Sequence, residues 1–405
     1  MSMRGIFLRL CNTQESRRAF SVIAASGSTK SELCDSFGRR HNYLRMSLTE
    51  RCNLRCVYCM PEGGVELTPD PQLPTLDERK RLLSRFIDRF GVDKLRFTGG
   101  EPTISPHLLP LIQLAKEKGV KNIGITTNGL VLEKHLEKLV EAGMNSVNIS
   151  LDTTNPKKFA KLSRRDAKSY DRVRSSLQAA LDIAQREDTS LHVKLNCVLM
   201  RGINDGELHN FVSMTENVPL DVRFIEIMPF NGNGWDPKQV MGYKEALGLL
   251  EHGHGVTLVP TSRGSGEGNT RSSASAEGKQ QQNQQQERHG FDVHDTTKWY
   301  RAAHGQGEGA STGRVGFITT MSSPFCGGCN RLRITANMRL KVCLFGEEEA
   351  DLLAVMRRSR GQDDNAELEG LIERAVWAKH PSLGGHKAPE VLTEKENRSM
   401  IMIGG

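Results

Sequence analysis

Six of the nine cysteines fall into two tight groups, Cys52-x-x-x-Cys56-x-x-Cys59 and Cys326-x-x-Cys329 followed by Cys343. Cys11, Cys34 and Cys197 stand alone, match no ligand spacing and read as structural or incidental. A disulfide framework is spread through a short secreted chain, whereas local triplets in a long chain read as ligands for a metal or a cluster. Three thiolates can hold three irons of a cubane and leave the fourth iron open to a small molecule. Zinc is the alternative for each triplet. Structural zinc takes a fourth protein ligand at short spacing, and none lies beside the first group, since His41 stands upstream of the preceding strand.

Other residues have the chemistry to serve such a centre. Gly99-Gly100-Glu101-Pro102 follows an apolar strand, and paired glycines there let backbone come close to a ligand. Arg331 and Arg333 lie directly beside the second cysteine group, and Arg45 and Arg96 lie on strands. An arginine within an apolar strand is costly unless it meets an anion. Its planar fork suits phosphate. A solvated surface position is the alternative for each of them, but four converging on one cavity would suit a polyphosphate. The tail Met400-Ile-Met-Ile-Gly404-Gly405 reads either as a frayed end or as two residues without side chains that thread into a tight cavity.

The elements that must position these residues alternate. Strands are expected at Tyr43 to Leu48, Lys94 to Thr98, Ile123 to Thr127, Ser146 to Leu151, His192 to Leu199 and Val222 to Met228. Helix patterns separate most of them, from Leu76 to Phe90, His107 to Lys118, Glu133 to Ala142, Asp171 to Gln185 and Asp205 to Thr215. Thr75 and Glu78 form a capping-box pair before Leu82, Leu83, Phe86, Ile87 and Phe90. Repeated βα units predict a parallel sheet with helices outside, as a partial barrel or an open doubly wound sheet. Reactive residues are then expected beyond the C-terminal ends of the strands. That is where the first cysteine group, Gly99 and Gly100, Thr126 to Gly129, Ser150 and Asp152, and Met228 and Pro229 fall.

The formal net charge is +7, but residues 1–40 carry seven Lys/Arg against three Asp/Glu, so basic character is weak evidence for nucleic acid. Arg4, Arg9, Arg17 and Arg18 alternate with apolar residues and few acids, the composition of a mitochondrial transit peptide, and residues 1–37 are read as one. No run of ~20 apolar residues predicts a membrane span. Residues 42–260 form the expected core, and 261–290, rich in Ser, Gly and Gln, read as a disordered insertion. Residues 291–405 form the second part, with a strand near Val315 to Met321 and a helix near Ala366 to Lys379.

Cys52-Asn-Leu-Arg-Cys56-Val-Tyr58-Cys59 resembles the cluster loop of the radical S-adenosylmethionine superfamily, and the GGEP segment resembles its methionine-binding turn. With CGGCNRLRIT, LKVCLFG and Gly404-Gly405, the chain is similar to the GTP 3′,8-cyclase family (molybdenum cofactor biosynthesis protein A) from about Tyr43 onward, with a break at the insertion. The resemblance implies a partial (βα)6 TIM-type barrel with a C-terminal extension carrying a second cluster. It implies two 4Fe–4S clusters, on Cys52, Cys56 and Cys59 and on Cys326, Cys329 and Cys343. Tyr58, Gly99, Gly100, Glu101, Ser150 and Met228 match S-adenosylmethionine positions. Arg45, Arg96, Thr126, Lys194, Arg331 and Arg333 match GTP positions, and Gly404 and Gly405 match a diglycine that reaches the active site. The implied reaction abstracts hydrogen from C3′ of GTP with a 5′-deoxyadenosyl radical and closes a bond from C3′ to C8, the first step of molybdenum cofactor synthesis. An external electron donor, delivery to cyclic pyranopterin monophosphate synthase, a homodimer and the mitochondrial matrix complete the expectation.

Two departures accompany the match. The insertion is long for the family, and Arg164 and Arg165 stand where many members have Thr-Gly. A peptide-modifying radical enzyme with an auxiliary cluster and a non-catalytic zinc module are the competing readings. Relatives of the first kind usually carry more than three cysteines in the C-terminal part, where this chain has three.

Overall fold

The computed structural model describes residues 32–261, 296–303, 311–358, 365–393 and 398–404. Most of the expected transit peptide, almost all of the 261–290 insertion, Cys11 and Gly405 lie outside the described residues. The folded chain begins earlier than position 37. Leu33 is buried in the main core, and the buried Asp35 carboxylate accepts from Arg39 Nε at 2.5 Å.

Six strands form the expected parallel series: β1 Tyr43–Ser47, β2 Lys94–Thr98, β3 Asn122–Thr127, β4 Ser146–Ser150, β5 His192–Leu199 and β6 Leu220–Glu226. Between them run α1 Leu76–Asp88, α2 Leu108–Glu117, α3 Leu136–Glu141, α4 Pro156–Ser163, α5 Lys168–Ala184 and α6 Leu208–Ser213. The capping box of α1 is present, with Glu78 N donating to Thr75 Oγ1 and Thr75 N to Glu78 Oε2. Helix α4 has no counterpart in the sequence reading. Its start is set by Asn155, whose side chain accepts from Lys157 N and Lys158 N, with Pro156 in the first turn.

The C-terminal part completes this sheet and adds a small apolar cluster in which Met321, Phe345, Leu383, Leu392 and Ile403 pack with Phe230. β8 Lys298–Ala303 and β9 Arg314–Ile318 extend one edge through a parallel β6–β9 pairing, with β7 Thr257–Pro260, from before the insertion, outermost beside β8. β10 Arg331–Ile334, β11 Arg339–Lys341 and β12 Ala350–Asp351 extend the other through a parallel β1–β10 pairing. Val315, Phe317, Leu332 and Ile334 join Leu44, Phe97, Val147 and Leu195 in one apolar core.

Alternation along the strands sorts the side chains. Leu44, Met46, Leu95, Phe97, Ile123, Ile125, Val147, Ile149, Val193 and Leu195 point into the layer under the helices and are essentially fully buried. Burying each stabilises the fold by about 1.5–3 kcal/mol. Their neighbours of opposite parity, Tyr43, Arg45, Lys94, Arg96, Asn122, Thr126, Ser146, Asn148, His192, Lys194, Asn196 and Arg223, line the inner face. Because the strands are parallel and paired in register, one polar parity makes a continuous wall.

Candidate functional site

The wall encloses a cavity of about 560 Å³, and all six grouped cysteines line it. The loop after β1 brings Cys52, Cys56 and Cys59 to it. Cys326 and Cys329 precede β10, and Cys343 follows β11. Since β10 runs parallel to β1, Cys329 enters beside the strand starts, whereas the first triad follows a strand end. The second triad therefore departs from the expectation that reactive groups gather only beyond the C-terminal ends.

The cysteine loop is held by backbone. Gly100 N donates to Thr49 O at 2.6 Å, and Glu101 N donates to Arg51 O at 2.9 Å. A Cβ on Gly100 would stand 2.3 Å from Arg51 O. The GGEP glycines thus admit the cysteine loop itself, besides facing the cavity. Glu101 does not reach the cavity. Its buried carboxylate accepts from Thr103 N and Oγ1, Thr127 Oγ1 and Asn128 N. It ties three strand-end loops together. Asn128 in turn donates to Asn53 Oδ1 and lies 3.7 Å from Cys52 Sγ, and Leu54 N donates to Cys52 Sγ. Arg164 does not face the cavity either; its guanidinium donates to the carbonyls of Arg55 and Met60 and braces the loop from outside.

Tyr58, Ser150 and Met228 line the same end of the wall. Tyr58 Oη donates to Asp152 Oδ2 at 2.8 Å, and burial raises the Asp152 carboxyl to about 6. Burial also drives the Cys59 thiol up to about 12, with Cys52 and Asp152 adding to it. These thiols carry no disulfide. Among the described residues no three His, Cys, Asp or Glu are gathered as a single metal ion would need. Each donor set is three free thiols that line one open space. That fits a cluster with an unliganded iron.

The other half of the wall is cationic. Arg45 faces Arg333 across β1–β10 and Arg96 across β1–β2, and Tyr43 faces Arg331. Arg96 is held by donations to Tyr43 Oη at 3.1 Å and Ile125 O at 2.8 Å, in room that Gly124 leaves beside it. Burial would raise the Tyr43 hydroxyl, yet Arg96, Arg45, Arg331 and Lys94 pull it down to about 6. Burial and the neighbouring Arg331 lower Arg333 to about 10. Arg45 Nε, Arg333 Nη1, Thr126 Oγ1 and Asn148 Oδ1 are buried without a hydrogen-bond partner. The Arg45 and Arg333 guanidinium groups, left short of acceptors in this way, suit an anion with many oxygens, whereas the Asn148 oxygen is open to a donor. Lys194 Nζ approaches His192 Nδ1 at 2.8 Å, and His192 Nε2 meets Asp221 Oδ2 at 2.6 Å.

The tail reaches the same region. Helix Met400–Ile403 ends in Gly404 at φ +83°, whose carbonyl accepts from Thr98 Oγ1 at 3.1 Å. A Cβ there would meet Ser47 Cβ at 2.6 Å. Gly404 therefore packs on Ser47 and Thr98, the last residues of β1 and β2.

Residues 46–215 match the Radical SAM superfamily model, and residues 265–384 match Molybdenum Cofactor Synthesis C. The chain is 40% identical over 410 residues to the GTP 3′,8-cyclase, mitochondrial, of Arabidopsis thaliana, covering 99% of this chain and 93% of that protein. The chain belongs to the GTP 3′,8-cyclase family of radical S-adenosylmethionine enzymes. It is also 40% identical over 402 residues to molybdenum cofactor biosynthesis protein 1 of Mus musculus, covering 99% of this chain but 54% of that protein. The chain thus spans about half the length of that animal relative. Streptococcus suis SuiB bound to S-adenosylmethionine shares the fold at a TM-score of 0.50 and 11% identity, over 96% of this chain and 81% of that one. Membership of the cyclase family carries with it a 4Fe–4S cluster and S-adenosylmethionine. No described helix is long and apolar enough to cross a membrane.

Three wall residues of this cyclase-family chain escaped the sequence reading: Asn148, Asn196 and Arg223. They were accessible in principle, because each shares the inward parity of an identified residue on its own or a neighbouring strand. Asp152 and Asn128 lie among the positions after strands that the sequence marks, but their partners, Tyr58 and Asn53, come from another loop.

Proposed function

We propose that this chain converts GTP to (8S)-3′,8-cyclo-7,8-dihydroguanosine 5′-triphosphate, the first step of molybdenum cofactor biosynthesis. The observation that carries the reading is that both cysteine triads and the acceptor-poor cationic wall face one cavity. Cys52, Cys56 and Cys59 would hold the first cluster, and Cys326, Cys329 and Cys343 a second 4Fe–4S cluster beside the guanine. When bound, the first cluster supplies the electron that cleaves S-adenosylmethionine and so provides the hydrogen-abstracting radical.

The chain's own residues do the positioning. Tyr58, Gly99, Gly100, Ser150 and Met228 form the S-adenosylmethionine end, with Glu101 holding the loops behind it. Arg45, Arg96, Thr126, Lys194, Arg331 and Arg333 bind GTP, its triphosphate meeting the unpartnered guanidinium groups. Holding ribose C3′ against the adenosyl carbon removes the entropy cost of their encounter. Met400 and Ile403 of the tail line the cavity, and this lining excludes water and other hydrogen donors that would quench a radical.

An external electron donor and transfer of product to cyclic pyranopterin monophosphate synthase belong to the same reading. So do a homodimer and the mitochondrial matrix, the last supported by the basic N-terminus and by the name of the Arabidopsis relative.

The test is an anaerobic incubation with GTP, S-adenosylmethionine and a reductant. The cyclised nucleotide should form, and should vanish with Cys52→Ser or Cys326→Ser. Release of 5′-deoxyadenosine only when a peptide is supplied would refute GTP as substrate.

A further inference from the structure

Lys379 lies just past helix Asn365–Trp377 and is 3% exposed. Its Nζ is 2.9 Å from His41 Nε2, 3.2 Å from Arg331 O, 3.3 Å from Cys329 O and 3.7 Å from Cys329 Sγ. His41 Nδ1 stands 2.7 Å from Arg39 O. A carbonyl only accepts, so Nδ1 carries the proton and Nε2 accepts from Lys379. No carboxylate among the described residues pairs with the lysine. Asp35, the acid nearby, is spent on Arg39, which also donates to Cys326 O at 2.8 Å and to the carbonyls of His380 and Pro381.

A buried ammonium without a counter-ion is costly. Among the described residues the hydrogen-bond partners of Lys379 are neutral, except for the Cys329 sulfur once that sulfur is a thiolate ligand.

We propose that Lys379 is a positioning residue of the second site: it is the counter-charge of the cluster held by Cys326, Cys329 and Cys343, and it poises that cluster at a higher reduction potential than it would otherwise have. Positive charge and N–H donation to a ligating sulfur both favour the reduced, more negative cluster. This rests on the two-cluster reading above.

The experiment uses the full chain with Cys52, Cys56 and Cys59 changed to serine, so that one cluster reports. Iron content and a potentiometric titration followed by electron paramagnetic resonance are measured for this protein and for its Lys379→Met and Lys379→Arg forms. The midpoint potential should fall with Lys379→Met and return toward the parent value with Lys379→Arg, at about four irons per chain throughout. If Lys379→Met does not retain iron, Lys379→Gln takes its place, because it keeps a donor to the carbonyls without the charge. A loaded cluster whose potential ignores the loss of charge overturns the proposal alone. Absence of any cluster from the serine-substituted parent overturns the two-cluster reading, and this proposal with it.

Discussion

Arg45 and Arg333 stand opposite each other in register on β1 and β10, and each has a buried guanidinium nitrogen with no partner. Like charges in adjacent cross-strand positions repel. Among the described residues no carboxylate pairs with either guanidinium and only the Tyr43 hydroxyl and the second cysteine group lie close by, so the pair suits an anion. Arg333→Met should weaken GTP binding about 10- to 100-fold, the loss of roughly one charge-assisted contact of 1.5–3 kcal/mol. The same change should leave the melting temperature of GTP-free protein unchanged or raise it by a few degrees, because repulsion is removed. Calorimetric titration and thermal melts without nucleotide check both. A variant that loses stability and keeps its GTP affinity would show the pair to be structural.

Gly100→Ala places a methyl where Arg51 O already stands, 2.3 Å away. The methyl has no rotamer to change and its partner is a backbone oxygen, so no side-chain rotation relieves the contact. The cysteine loop must move, and iron held by the first triad should be lost while that of the second is kept. Iron analysis should fall from about eight toward about four per chain.

Gly404→Ala meets Ser47 Cβ at 2.6 Å and imposes a side chain at φ +83°. The cost in a left-handed conformation is about 1 kcal/mol before the clash is counted. The short helix at Met400–Ile403 should lift from β1 and β2. Product formation should drop at least tenfold with both clusters present, and 5′-deoxyadenosine formed without cyclised product should rise, since the cavity is no longer sealed. Equal loss of both products would argue for a defect before radical formation.

Acid sensitivity follows from His41. It is fully buried, and burial together with Lys379 lowers it to about 4. Its unfolded value is about 6.5. Between those values the unfolded chain binds the proton and the folded chain does not, so stability is full above about 6.5 and is lost as pH falls toward 4. The loss is of the order of 3 kcal/mol. Urea unfolding at pH 7.5, 6 and 5 should show it. His41→Gln, which keeps an acceptor for Lys379 but does not titrate, should flatten the decline.

The cysteine groups, the βα alternation and the capping box at Thr75 were legible because each depends on short spacing or on a period of two or 3.6. Arg79 was not. It sits on the apolar stripe of α1, where a charge reads as an edge residue, yet it is buried and donates to Ser47 O, Leu48 O and Ala336 O. It closes the ends of β1 and β10 onto the helix. Lys379 and Glu101 were hard to place for the same reason. Their roles are set by carbonyls, sulfurs and amides brought from distant segments, and no local pattern carries those.

Residue types and spacing alone settled which atoms could ligate iron and which side chains alternate toward a polar wall, since both are properties of short stretches of chain. Only the tertiary structure decided that residues after the insertion extend both edges of the first sheet, that Cys329 enters beside the strand starts, and that Arg333 faces Arg45. Strand partners are chosen by packing and hydrogen bonding summed over the whole sheet, and that sum is not written in any one segment.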